Sequence, residues 1–439
     1  MNPDQKNRTR VLKNGKTFTS RGLETADIWM EGGKITQITP PQNRAVPKFT
    51  VDASGWFVLP GFVDVHTNGA AGFDTTWGLY NPRTDAFDSS ESAYFDGLER
   101  AARFYLSMGV TTAILTTISA PLEQIRRVLK LFARFKSTHP LGSVFGGIFI
   151  EGSFIASPAF AGAHNPEFFQ SPTRDLIQSL QEDAEGNLRI VNIPPEHGKK
   201  AWDLIPALRD MGILTVGGHS GATFQEFENA AKNGLQAAVH LMNGPIKSSY
   251  KPFHGGGAFE ATLSLDKIFV ELIPDYFHVS KGYLLDAIRR KGTGRVLAVT
   301  DSMFVTGLPD VQGFHVSGIR GEVNESGNYL QVSNHPDTLF GSVLTMKGAF
   351  ENLLSLQTVS HAGIWNRVHP KHPFETAAYR TLQMCTFTPL NYLKFPSQTA
   401  LFELTPGMDA NVLLCDILGD SGDYRLAIHK VFLSGEAVA

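Results

Sequence analysis

Eight apolar, strand-like segments, each followed by a helix-like stretch, are the feature that most limits how this chain can fold. The segments are residues 63–66, 110–117, 147–151, 189–193, 214–219, 237–240, 267–273 and 296–301. Strands that alternate with helices favour an α/β fold with a parallel sheet. A doubly wound sheet shows the same alternation, so both architectures stay open at this point, but a count of eight favours a (β/α)₈ TIM barrel.

The two ends of the chain show a different pattern of short strands and tight turns. Residues 27–35 predict a hairpin with Gly32 and Gly33 at its turn, and residues 411–415 and 430–433 predict strands near the other end. Because a single core rarely exceeds about 300 residues, a chain of 439 residues is expected to hold a second, smaller domain. We therefore expect a small β-sandwich domain built from both termini, with residues 1–58 and 398–439 in this domain and 59–397 in the barrel.

Composition excludes several classes of protein. A net charge of −3 without a basic stripe argues against a nucleic acid partner. Residues 1–6 lack the apolar core of a signal peptide, and no run of about 20 apolar residues is present to span a membrane. We therefore expect a cytoplasmic protein with no membrane partner. The two cysteines, Cys385 and Cys415, make no disulfide framework and are expected to be buried as small hydrophobic residues.

Polar residues stand where several of the apolar segments end. They are His66, Glu151, His219, His240 and Asp301. The C-terminal ends of TIM-barrel strands converge on one face, where catalytic residues lie. Imidazole and carboxylate ligands suit Zn²⁺ or a similar divalent ion, which polarises a carbonyl and lowers the pKa of bound water. A single histidine at a strand end is more often a hydrogen-bonded loop residue, but the joint arrangement predicts a metal site suited to amide hydrolysis.

Seven segments carry a family resemblance over nearly the whole chain. They are LPGFVDVHTNG (59–69), EGSFI (151–155), GAHNP (162–166), GHSGAT (218–223), HLMN (240–243), VTDS (299–302) and FGSVLTM (340–346). In this order they resemble the N-acetylglucosamine-6-phosphate deacetylases of the amidohydrolase superfamily. PGMDAN at 406–411 is similar to the superfamily's closing PGxxAD motif, with the residues around the alanine changed.

The resemblance implies an activity and a set of roles. It implies metal-dependent removal of the acetyl group from an N-acetyl amino sugar, in the first place N-acetylglucosamine-6-phosphate. Glu151, His219 and His240 would hold the metal, Asp301 would be the general base and acid, and His164 would hydrogen-bond the substrate or its oxyanion.

Further residues are implied to contact the substrate, and a partner is implied as well. The residues are Asn243, Gly244, Lys251, His254 and His278. The resemblance also implies a homodimer, although that inference depends on an arginine that this chain lacks.

The first departure from the family pattern concerns the metal. The first-strand motif is His66-Thr67-Asn68 in place of His-x-His. Because asparagine is the weaker ligand, we expect one metal ion, Zn²⁺ in the first place, with Fe²⁺ and Mn²⁺ also compatible with the ligand set. His66 stays open as a direct ligand, a hydrogen-bond donor to a ligand or a substrate contact.

The second departure concerns the substrate. His254 stands where the family has an arginine that binds phosphate, and it lacks the fixed charge and fork of a guanidinium group. Either Lys247 and Lys251 compensate, or the substrate is a different acylated amine without a phosphate. A catalytically silent, sugar-binding member is the alternative from another class, and the presence of Asp301 and the metal-type histidines disfavours it.

The segment between Asp301 and Ser342 contains strand-like residues 314–332. Its position after the last predicted strand is compatible with a lid over the site or with a surface hairpin that has no gating role.

Overall fold

Eight parallel strands form the centre of the molecule in a computed structural model that describes residues 8–19, 21–42, 47–244, 255–394 and 400–439. They are Phe62–Thr67, Val110–Thr117, Phe145–Ile150, Leu188–Asn192, Leu214–Gly217, Ala237–Ala238, Phe269–Leu272 and Val296–Ala298. Each strand is hydrogen-bonded to the next along the chain, which gives a nearly closed barrel. Every strand overlaps one of the apolar segments, so the predicted TIM barrel is confirmed.

Polar groups close the seam between the eighth strand and the first. The backbone N–H of Asp301 donates to the carbonyl oxygen of His66 at 2.9 Å. The buried carboxyl of Asp64 accepts from the hydroxyl of Thr300 at 2.5 Å and from its backbone N–H at 3.3 Å. Burial raises the pKa of Asp64 to about 7. Since this seam lies directly before His66 and Asp301, it sets the position of one relative to the other.

Helices surround the barrel as the alternation predicts. The α-helices are Glu91–Ser107, Leu122–Thr138, Arg174–Asp183, Lys199–Asp210, Phe224–Lys232, Ala258–Ser264, Lys281–Lys291, Met346–Gln357, Phe374–Leu382 and Thr388–Leu393. Short 3₁₀ turns are Pro140–Val144, Gly152–Phe154, Pro158–Phe160, Pro166–Phe168, Pro195–His197 and Thr293–Arg295, and Gln383–Phe387 is a π-helical turn. The helix Leu122–Thr138 buries Ile125, Val128, Leu129 and Phe132, the spacing of one helical face that packs on a sheet.

Strands from both ends of the chain share one mixed sheet, as predicted. They are Arg10–Thr19, Gly22–Glu31, Lys34–Thr39, Phe49–Asp52, Phe57–Pro60, Val412–Asp420, Asp423–Leu433 and Glu436–Ala437. The predicted hairpin is present, with Glu31 paired to Lys34 across Gly32 and Gly33. Both glycines have positive φ, 61° and 79°, a conformation that favours glycine at a tight turn.

Two smaller antiparallel sheets lie around the mouth of the barrel. The first contains Gly69–Ala70, Phe73–Asp74, Gly78–Asn81 and Ala86–Asp88, and the second contains Gly313–Val316, Ile319–Val323, Leu330–Val332 and His335–Leu339. Phe304, Phe314 and Tyr80 belong to one apolar cluster that joins the two. The segment between Asp301 and Ser342 is thus a packed four-stranded sheet, larger than a single hairpin.

Cys385 and Cys415 are both buried and free, as predicted. Among the helices of the described part of the chain, none combines the length and the apolar character needed to cross a membrane.

Alternation along one strand of the terminal sheet joins it to the barrel. Val412 and Leu414 belong to the core cluster of the terminal sheet, whereas Leu413 and Cys415 belong to the main cluster of the barrel. This is the two-residue period of a strand that is buried on both faces.

We expect Leu413→Ala to lower the free energy of unfolding by about 2–5 kcal/mol. The substitution opens a cavity at a fully buried position between the terminal sheet and the barrel. Chemical denaturation followed by circular dichroism measures the change. The matched control is Leu418→Ala on the same strand, where the side chain is 53% exposed and the expected change is within about 0.5 kcal/mol. Equal effects of the two substitutions would contradict the shared core.

Candidate functional site

The polar residues at the strand ends lie together in one buried centre at the C-terminal face of the barrel. Each lies close to the C-terminal end of a different strand, and the loop after the third strand adds one more histidine. The side chains that meet there are those of His66, Glu151, His164, His219, His240 and Asp301, and all six residues are buried.

The carboxylate of Glu151 is the middle of this centre. Its Oε1 lies 3.0 Å from Nε2 of His240 and 3.4 Å from Nε2 of His219. Its Oε2 lies 3.4 Å from Nε2 of His66 and 3.5 Å from Nε2 of His164. Burial raises the pKa of the Glu151 carboxyl, but the imidazoles around it outweigh burial and hold this pKa well below its ordinary value.

In His219 and His66, a hydrogen bond at Nδ1 leaves a lone pair on Nε2, the nitrogen that faces Glu151. Nδ1 of His219 lies 2.9 Å from the carbonyl oxygen of Phe160, so Nδ1 must carry the proton and Nε2 keeps its lone pair. Nδ1 of His66 lies 2.8 Å from Oε2 of Glu271, a second carboxylate that can only accept. Metal-binding histidines are oriented in this way, with the other ring N–H given to a carbonyl or a carboxylate.

His164 has the opposite tautomer. The backbone N–H of Ser119 donates to Nδ1 of His164 at 3.2 Å, so the proton of the neutral ring is on Nε2, the nitrogen that faces the centre. Burial lowers the pKa of His164, which keeps the ring neutral. Gly152 permits this contact, because a Cβ there would lie 2.4 Å from both Nδ1 of His164 and the nitrogen of Ser119. His164 is therefore a hydrogen-bond donor toward the centre, whereas His66 and His219 offer lone pairs.

The donor set fits a divalent cation. Within each of two groups, His66 with His240 and Asp301, and Glu151 with His164 and His219, one potential ligand atom per residue lies within 4.8 Å of the others. Nε2 of His66 is buried and has no hydrogen-bond partner among the described residues. A buried lone pair among carboxylate oxygens is stabilised when a cation shares it.

Asp301 is oriented by Asn68, which is not one of the residues grouped around Glu151. The side-chain amide of Asn68 donates to Oδ1 of Asp301 at 2.6 Å, so Asn68 orients this carboxylate. Asp301 has a φ of 50°, which is uncommon outside glycine. The neighbouring backbone approaches closely, since a Cβ on Gly341 would lie 2.8 Å from the carbonyl oxygen of Asp301. Strained backbone of this kind is typical of functional positions.

A cavity of about 520 Å³ opens onto this centre. Asn243 and His278 line it, together with residues 337–341 of the second small sheet and the turn that follows it. Nδ1 of His278 lies 2.6 Å from Asp275, and Asn243 donates to the carbonyl oxygen of His278 at 3.3 Å. A larger cavity of about 610 Å³ lies beside it but contains none of the clustered imidazoles, so we assign the chemistry to the smaller one.

The other residues expected to contact substrate are placed differently. Gly244 lies in the turn after His240, where its N–H donates to the carbonyl oxygen of His240 at 2.8 Å, and it is not among the residues that line the cavity. Lys251 and His254 lie outside the described residues.

Sequence reasoning missed two buried residues that support the site. Glu271 stands alone among apolar neighbours in the seventh strand, and Asn192 ends the fourth. The Asn192 amide donates to the carbonyl oxygens of Glu151 at 3.2 Å and Gly218 at 3.1 Å, and its oxygen accepts from the N–H of Gly218 at 2.8 Å. A lone polar residue inside or at the end of an apolar strand was the available signal for both.

Comparison with known proteins places these features in a wider group. No protein-family model matches the chain. It is 31% identical over 358 residues to the N-acetylglucosamine-6-phosphate deacetylase of Bos taurus, with 79% of this chain and 80% of that protein covered. The enzyme of the same name from Lysinibacillus sphaericus is 27% identical over 428 residues, with 97% and 96% covered. The N-acetylgalactosamine-6-phosphate deacetylase of Escherichia coli O157:H7 is 26% identical over 355 residues, with 81% and 86% covered.

Solved structures share the same fold. The crystal structure of N-acetyl-D-glucosamine-6-phosphate deacetylase from Mycobacterium smegmatis matches with a TM-score of 0.78 at 22% identity, covering 98% of this chain and 100% of that one. The corresponding structure from Pasteurella multocida gives 0.78 at 23% identity with the same coverage. The shared architecture therefore includes both the barrel and the terminal sheet.

We expect Glu151→Gln to weaken Zn²⁺ binding to the metal-free protein by at least about 100-fold, because it removes the charge at the middle of the imidazole cluster. Competition with a chromogenic chelator measures the dissociation constant. Glu351→Gln is the matched control, since Glu351 is also buried but contacts Lys347 and the backbone of Leu426 away from this centre. Unchanged Zn²⁺ affinity in Glu151→Gln would mean that the cluster is not a metal site.

Proposed function

Since this chain belongs to the N-acetylglucosamine-6-phosphate deacetylase family of the amidohydrolase superfamily, we propose that it hydrolyses the acetamide of an N-acetyl amino sugar to the free amine and acetate. N-acetylglucosamine-6-phosphate is the first candidate substrate, because the relatives named above act on hexosamine 6-phosphates by their names. The observation that carries the proposal is the convergence of Glu151, His219 and His240 on one centre beside Asp301.

Glu151, His219 and His240 would hold a divalent cation, with Nε2 of His66 able to serve as a fourth ligand. Such a cation, when bound, polarises the acyl carbonyl and lowers the pKa of water. We propose Zn²⁺ in the first place, since this mixture of imidazole and carboxylate ligands is one that Zn²⁺ accepts.

Asp301 would move the proton. Its carboxylate takes a proton from the attacking water and returns it to the amide nitrogen as the C–N bond breaks. Asn68 holds Oδ1 in place, so the carboxylate keeps one orientation through both transfers. His164 would donate its Nε2–H to the acyl oxygen as negative charge develops there, and a donor fixed in advance contributes most at that stage. His278 and Asn243, which line the same cavity, would contact the sugar.

One observation favours a second candidate, an acylated amine without a phosphate. The described residues that line the cavity include the carboxylates of Glu151, Asp301 and Asp337 but no lysine or arginine. A phosphate dianion would therefore depend on the segment that contains Lys247, Lys251 and His254 for its positive charge.

We expect Asp301→Asn to lower kcat for deacetylation by about 10²–10⁴-fold, because the amide can neither accept nor return the proton. Zn²⁺ content, measured by atomic absorption, should stay at the wild-type level. Asp310→Asn, an exposed carboxylate in the neighbouring cavity, is the control and should keep wild-type kcat. Near-normal turnover in Asp301→Asn would show that the base has been assigned wrongly.

The phosphate question is decided by comparing kcat/KM for N-acetylglucosamine-6-phosphate and N-acetylglucosamine. We expect the phosphorylated sugar to be preferred and Lys251→Ala to lower its kcat/KM by about 10–100-fold, the value of a hydrogen bond between charged groups. The same change should leave kcat/KM for the free sugar unaltered, and Lys232→Ala on an exposed helix serves as control. Equal kcat/KM for the two sugars would favour a different acylated amine as substrate.

A further inference from the structure

Glu271 is a carboxylate in the middle of an otherwise apolar barrel strand. Its neighbours along the strand are Phe269, Val270 and Leu272, and its side chain is completely buried. Placing a carboxylate in such surroundings is costly unless other groups satisfy it. The proposed reaction gives Glu271 no chemical step, so its presence needs a different explanation.

The contacts of Glu271 connect three strands of the barrel. Its Oε2 lies 2.8 Å from Nδ1 of His66, at the end of the first strand. The same oxygen accepts the backbone N–H of His240 at 3.1 Å, directly after the sixth strand. The carbonyl oxygen of Glu271 also accepts from the N–H of Leu241 at 2.8 Å. One residue of the seventh strand therefore contacts two residues that face Glu151.

The position and the tautomer of His66 are controlled by different groups. Asp64 accepts the backbone N–H of His66 at 3.3 Å, and the ring packs edge-on against Phe149 with centroids 5.0 Å apart. These contacts fix where the ring lies but do not choose which nitrogen is protonated. Glu271 makes that choice for the neutral ring, because a carboxylate accepts Nδ1–H and so leaves the lone pair on Nε2, 3.4 Å from Glu151 and from Asp301.

We propose that Glu271 is a positioning residue of the cation site. It presents Nε2 of His66 to the cation by accepting Nδ1–H, and it anchors the backbone of His240 beside the same centre. This inference rests on the proposed function only in assuming that a cation occupies the centre, and it concerns a residue that contacts neither substrate nor reacting atoms.

The test uses Glu271→Gln in the full-length protein. A glutamine has nearly the same shape, but its amide NH₂ can donate to Nδ1 as readily as its oxygen can accept from it, so the tautomer of His66 is no longer enforced. We expect the dissociation constant for Zn²⁺ to rise about 10–100-fold, the usual effect of removing a partner that orients a ligand.

A spectroscopic measurement separates positioning from a general loss of structure. With ¹⁵N-labelled histidine in the Zn²⁺-loaded protein, the wild type should show a protected Nδ1–H signal for His66, identified by its loss in His66→Gln. That signal should weaken or disappear in Glu271→Gln. Asp286→Asn is the matched control, because Asp286 is a buried carboxylate that accepts Nε2–H of His369 at 2.7 Å outside the site. The Asp286→Asn protein should be less stable than the wild type but should bind Zn²⁺ with the same affinity.

Two further variants keep the test decisive. If Glu271→Gln does not fold, Glu271→Asp retains the charge at a greater distance and should show an intermediate loss of Zn²⁺ affinity. In a His66→Gln background, Glu271→Gln should weaken Zn²⁺ binding much less than in the wild type. Wild-type Zn²⁺ affinity with an intact Nδ1–H signal in Glu271→Gln, or an equal loss in both backgrounds, would overturn the proposal. Neither readout needs a substrate, so a failure of the proposed deacetylation would be seen separately.

Discussion

Four imidazole rings surround the carboxylate of Glu151 at 3.0–3.5 Å, and the arrangement of the rest of the site depends on this contact. A charge in a buried position is tolerated only when other groups compensate it. Three of the imidazoles reach it from different strand ends, because a TIM barrel directs the C-terminal ends of all its strands to one face, and His164 reaches it from the loop after the third strand. The barrel thus supplies the geometry, and a cation shared by this carboxylate and the imidazole lone pairs would supply the compensating charge.

A second set of buried residues, which do not face Glu151, holds the residues around Glu151 in place. Asp64 bonds the backbone of Thr300 and His66 across the seam, and Asn192 bonds the backbone of Glu151 and Gly218. Catalysis by fixed groups requires positions accurate to well under about 1 Å, which loops alone rarely provide. Buried side-chain bonds between neighbouring strands provide it here, at the cost of placing polar groups inside the barrel.

Much of the fold and of the candidate site could be predicted, because polar residues at the ends of apolar strands are easily recognised in the sequence. The apolar segments marked the eight strands, and polar residues at the ends of five of them were predicted to share one face, namely His66, Glu151, His219, His240 and Asp301. The role of Asn68 could not be predicted, since an asparagine in place of a histidine suggests a weaker ligand and not a donor to Asp301. Glu271 was missed because a single charged residue in an apolar run does not indicate which residues of other strands it contacts.

The sequence by itself determined the periodicities, and therefore the strands, the helices and the residues at their ends, because local patterns of apolar and polar residues are written along the chain. Only the tertiary structure decided whether the Nε2 that His66, His164 and His219 turn toward Glu151 carries a proton or a lone pair. That choice depends on hydrogen bonds from residues far away in the chain, such as Ser119 to His164 and Glu271 to His66, which lie 45 and 205 positions apart. No local pattern encodes such a pairing, because the two partners meet only after the barrel has closed.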